Sequence, residues 1–173
     1  AIRTAGILNR KDFVTYLVDM LEDPEYYSFA YNSLSVMSGD ILENLEHGFH
    51  KTGITTKGMM RITRIMASIG TPVAAAYLVS KLDHFNLGVF KEVVKGLQKL
   101  LKNPGENEKA KLFSALNRVC AITAWNLAAK YSMKDTERGS SLNEALDEEL
   151  QENYDLVYSL LSTAYDPSTV YHI

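Results

Sequence analysis

From Phe13 to Ala164 apolar side chains recur every three or four positions, and the interruptions are helix-capping residues rather than hairpin turns. That spacing lines one side of an α-helix and leaves no room for the strict alternation of a half-buried strand. Neither Asn-Gly nor Asp-Gly occurs anywhere in the chain, so the strongest short-range hairpin signal is missing. The pattern predicts an all-α fold: a single compact multi-helix domain of seven or eight helices, with an acidic C-terminal helix and an extended tail. A length of 173 residues suits one such domain.

The punctuation sets the expected order of helices. A first helix begins after Asn9 and carries Phe13, Val14, Leu17, Val18 and Leu21 on one face. Asp23-Pro24 starts a second with Tyr27, Ala30, Tyr31, Leu34 and Met37, because Asp caps free N–H groups and Pro at the first position loses no bond. Gly39-Asp40 separates it from a third helix with Ile41, Leu42, Leu45 and Phe49. Thr55 or Thr56 caps a fourth, which ends at Gly70, and Thr71-Pro72 opens a fifth. The sixth, over 87–102, sets Phe90, Val93, Val94, Leu97, Leu100 and Leu101 opposite Lys91, Lys95, Lys99 and Lys102. After Asn103-Pro104-Gly105 a long seventh helix places Phe113, Leu116, Cys120, Leu127 and Tyr131 on one stripe, which is expected to be central and buried, with Cys120 an inert thiol. Ser141 and Glu144 match a capping box for the eighth. The expected organisation is a helical core over 1–133, a polar linker over 134–140, the acidic helix over 141–164 and an extended tail over 165–173.

Charge divides unevenly along this order. Residues 1–133 hold 16 basic and 12 acidic side chains, whereas residues 134–173 hold 2 basic and 9 acidic. In the eighth helix Glu144, Asp147, Glu148, Glu149, Glu152 and Asp155 have no basic neighbour, and like charges at such spacing cost about 0.2–0.5 kcal/mol per pair. A basic surface that offsets them is expected, and the Lys91/Lys95/Lys99/Lys102 row has the matching sign. The overall charge of −3 argues against a general nucleic-acid binder, and no aromatic or Arg residue interleaves the lysines to stack bases.

Other classes lose support by inspection. The longest uncharged stretch lies between Arg64 and Lys81 and is broken by Gly70-Thr71-Pro72, so no membrane span is expected where about 20 apolar residues are needed. A single Cys makes no internal disulfide, which favours an intracellular setting. Nucleophile-elbow, dinucleotide and phosphate-loop motifs are all missing, so no catalytic residue is nominated and an enzyme is not expected. Glu43, His47 and His50 share a helical face with metal-ligand chemistry, but Gly48 interrupts it and no second half-site exists; no metal or cofactor is expected.

Tyrosine, which is enriched where protein surfaces meet, clusters at Tyr26, Tyr27 and Tyr31 and again at Tyr154, Tyr158, Tyr165 and Tyr171. The expected function is therefore non-enzymatic: a protein–protein interaction or self-assembling structural subunit, a homo-oligomer or partner of another protein. The expected interface residues are Tyr27, Tyr31, Lys91, Lys95, Lys99, Glu148, Glu149, Glu152, Tyr165 and Tyr171. Head-to-tail association of this kind gives rings or filaments. The alternative is a helical carrier of an apolar or haem-like ligand lined by Met59, Met60, Met66 and the Ile62/Ile65/Ile69 face, with His84 at a helix junction as a candidate haem ligand.

Overall fold

A computed structural model describes residues 11–37, 41–132 and 140–165. The chain is all-α, with no strand among the described residues. A 3₁₀ turn at Lys11–Phe13 leads into α1 (Val14–Asp19), followed by α2 (Tyr27–Ser35), α3 (Leu42–Phe49), α4 (Thr56–Ile69), α5 (Pro72–Val79), α6 (Leu87–Leu100), α7 (Glu106–Ser132) and α8 (Ser140–Ala164). It divides into two compact units, Ala1–Leu101 and Lys102–Ile173, with the break beside the Asn103-Pro104-Gly105 turn. Gly39-Asp40 and most of the 134–140 and 165–173 segments lie outside the described residues.

Capping chemistry fixes the helix ends of the first unit. The Thr55 hydroxyl accepts from the Gly58 N–H at 3.1 Å, Thr71 accepts from Ala74 at 3.2 Å ahead of Pro72, and Asn86 accepts from Val89 at 3.2 Å. Each replaces one of the bonds a helix start lacks. Gly70 closes α4 at φ +74°, a left-handed conformation that needs no Cβ. Asp23 does accept from the N–H groups of Glu25 and Tyr26, but the residues after Pro24 form turns and regular helix begins only at Tyr27.

Helix α4 is the hub of this unit, packing on α2, α3, α5 and α6. Ile62, Ile65 and Met66 are fully enclosed there, and Val89, Phe90, Val93, Val94 and Leu97 of α6 are buried as their spacing required. Burying a side chain of this size contributes roughly 1.5–3 kcal/mol, so these positions dominate the stability of the unit. Close approach of α5 and α6 depends on Gly96, where a Cβ would sit 2.9 Å from Leu78 Cδ1 and 3.1 Å from Ala67 Cβ.

The second unit is a helical hairpin of α7 and α8. Lys130 pairs with Asp147, and the rings of Phe113 and Tyr165 meet edge-on at 5.5 Å, so the helices run antiparallel. The buried stripe of α7 is Leu112, Ala115, Val119, Thr123 and Asn126, which face Leu150, Asn153, Leu156, Leu160, Thr163 and Ala164 of α8. The expectation of a central α7 with a buried Cys120 is corrected: Cys120 is exposed, and the large residues Phe113, Leu116, Leu127 and Tyr131 flank the seam instead of filling it. The physical reason is that α7 carries two adjoining stripes with apolar residues, and α8 covers the one that holds Leu112, Ala115 and Val119.

Candidate interaction surfaces

Lys95 and Lys99 stand exposed on the outer side of α6 and Lys91 is half-buried there, whereas Lys102 lies past the helix, which ends at Leu100 rather than at the expected 102. One carboxylate sits within the lysine row. Glu92 accepts two bonds from Arg64 of α4, from Nε at 2.9 Å and Nη2 at 2.7 Å, a planar fork-to-carboxylate contact. That hydrogen bonding holds the Glu92 carboxyl below its ordinary range, against the opposing effect of burial and with help from the charges of Arg64, Lys95 and Lys99. The Arg64 guanidinium is correspondingly held charged, chiefly by Glu92.

Tyr27 and Tyr31 lie together on α2 with ring centroids 5.8 Å apart, and both are half-buried. The Arg61 guanidinium covers the Tyr27 ring at 3.8 Å and also donates to the Leu21 carbonyl. These tyrosines therefore brace α2 against α4, leaving part of each ring at the surface.

On α8 the side chains of Glu144, Asp147, Glu148, Glu152, Tyr154, Asp155 and Tyr158 are exposed, and Glu149 is half-buried. Tyr165 ends this helix, its N–H donating to the Leu161 carbonyl at 2.9 Å; Tyr171 lies outside the described residues. Glu148, Glu149 and Glu152 thus share one helix, with Glu149 half-buried, and Lys91, Lys95 and Lys99 share another, with Lys91 half-buried.

Sequence reasoning missed the most exposed aromatic residues. Phe85 is 92% exposed and stacks on the His84 ring at 4.8 Å, in the loop between α5 and α6. Trp125, the only Trp, is 73% exposed, with Ile122 beside it one helical turn away. No periodic signal singles out Trp125, because its neighbours on α7 are apolar on every side.

The histidines have other partners. His50 contacts Glu46 at 3.1 Å, not Glu43, and Glu46 also accepts from the Lys81 ammonium at 2.5 Å. Lys81 is only 4% exposed and lies 4.5 Å over the Phe49 ring. Glu43 and His47 point into solvent, and among the described residues no group of three His, Cys, Asp or Glu side chains is placed to hold a metal ion. His84 Nδ1 accepts the Asn86 N–H at 3.1 Å, which ties the ring to the start of α6.

The face nominated for an apolar ligand is packed: Ile62, Ile65 and Met66 are fully buried, and Met59, Met60 and Ile69 are half-buried. A pocket of about 210 Å³ opens elsewhere, lined by Val18, Asp19, Glu22, Gly48 and Lys51. Its rim is polar, with Lys51 bonded to Asp19 at 2.6 Å and Glu22 accepting from the backbone and hydroxyl of Thr55. Among the described residues no helix is long and apolar enough to cross a membrane. The chain matches no protein-family model, no curated protein and no solved structure.

Proposed function

We propose that the protein is a non-enzymatic interaction or self-assembling structural subunit that associates through charge-complementary, Tyr-bearing helical surfaces. The observation that carries this reading is the outward-facing carboxylate row of α8. Glu148 and Glu152 stand four residues apart on α8, and Lys95 and Lys99 on α6 repeat that step. At 1.5 Å per residue both steps span about 6 Å, so the lysine pair on one molecule can meet the carboxylate pair on the next. Such exposed pairs contribute little individually, but together they steer encounter and fix register.

Light scattering on the intact protein, from roughly 0.02 to 0.5 M salt, tests this, because screening shortens to about 4 Å over that range. The native mass should exceed that of the monomer at low salt and fall as salt is added. Replacing Glu148, Glu149 and Glu152 by Gln should abolish the low-salt association and flatten the salt response. An unchanged response in that variant, or a monomer at every salt concentration, removes the charged surfaces from the function.

A further inference from the structure

We propose that the tyrosine-bearing flank of the α7–α8 hairpin pairs with the same flank of a second copy of the chain, closing two hairpins into a four-helix layer. This face differs from the carboxylate row, and the inference goes beyond the reading above.

The flank is defined by one observed contact and two helical spacings. Phe113 meets Tyr165 edge-on. From Phe113, Leu116, Cys120, Leu127 and Tyr131 follow along α7 on the same side, and from Tyr165, Leu161, Tyr158 and Tyr154 run back along α8. None of these side chains is charged. An ion pair closes each end, Lys109–Glu106 at 3.2 Å near Phe113 and Lys130–Asp147 near Tyr131. A neutral, Tyr-rich patch with charges confined to its rim has the composition of an interface core. It does not select an acidic or basic partner, whereas an identical neutral face satisfies it.

One further argument favours a second copy: the area is sufficient. Tyr158 is 72% exposed, Tyr131 68%, and Tyr154 and Tyr165 46% each. At roughly 200 Å² per aromatic side chain, those four present about 450 Å². A two-fold pairing removes about twice that, and the half-buried leucines and Cys120 bring the total toward the roughly 1,200 Å² at which specific interfaces begin.

The test is sedimentation of the full-length protein at about 0.5 M salt, where charged-surface association is screened. The wild-type chain should remain dimeric. Tyr158→Lys and Tyr131→Lys, at exposed positions, should each weaken the dimer on the order of thirtyfold while retaining helical circular dichroism, whereas Trp125→Ala, on another flank, should leave it intact. Cys120 supplies a readout independent of substitution: its reaction with a maleimide should slow as wild-type concentration rises through the dimerisation range. A wild-type monomer at high salt overturns the inference, as does a dimer whose Cys120 reacts at the same rate at all concentrations. Loss of low-salt assembly in the Glu→Gln variant with the high-salt dimer retained separates the two proposals, and the converse result separates them equally.

Discussion

The Lys81–Glu46 pair makes the sharpest prediction about stability. Lys81 is 4% exposed, and its ammonium has the Glu46 carboxylate at 2.5 Å and the Phe49 ring face at 4.5 Å. Glu46→Gln removes the countercharge but keeps an acceptor, so a buried cation is left with a neutral amide and a ring. Breaking a fully buried pair costs about 3–5 kcal/mol. Because 23% of the Glu46 side chain still reaches solvent, water relieves part of the loss, and a cost of about 2–3 kcal/mol is expected. Lys81→Met removes the charge itself at similar volume and leaves Glu46 bonded to His50, so its effect should lie within about 1 kcal/mol of zero. The double variant should resemble Lys81→Met, because once the cation is gone the amide has nothing to compensate. Urea unfolding followed by far-ultraviolet circular dichroism supplies all three values. Equal damage from Lys81→Met and Glu46→Gln, or a Glu46→Gln cost below about 0.5 kcal/mol, would refute the reasoning that a desolvated cation is at stake.

Three other outcomes are expected. Gly96→Ala gains about 1 kcal/mol of helix propensity but forces a methyl against the buried Leu78 and against Ala67, so overpacking of about 1–3 kcal/mol should win and lower the thermal midpoint. The depressed Glu92 carboxyl contributes stability that is present above its unfolded value near 4.5 and is lost as pH falls through the lower folded value; Arg64→Leu should flatten that acid-side slope in pH-dependent denaturation, and an unaltered slope would exclude the fork as its source. Asn126 and Asn153 bury Nδ2 groups that have no hydrogen-bond partner among the described residues, so Asn153→Leu should stabilise the hairpin by about 1 kcal/mol, and a clear loss in thermal unfolding would show that the amide is satisfied in solution.

Much of the helical architecture is written in local chemistry. Thr71-Pro72, Gly70 and the α6 pattern each act within four residues, and the structure places them where the sequence did. What failed was the choice of face on α7. Its two stripes are offset by a single residue, and only the approach of α8 decides which is covered. The Lys81–Glu46 pair escaped notice for a similar reason: its members are 35 positions apart, and nothing in the apolar run around Lys81 announces a partner. Lys95, Lys99, Glu148 and Glu152 were legible as exposed rows because an amphipathic helix already specifies its wet side.

The placement of Trp125 makes the molecule its own optical reporter. As the single indole in the chain, held on the outside of α7, it should emit at the long wavelengths of a water-solvated ring while the fold is intact. Unfolding would then move its spectrum very little, and a shift to shorter wavelength on mixing would mark the arrival of another surface on that side of the hairpin.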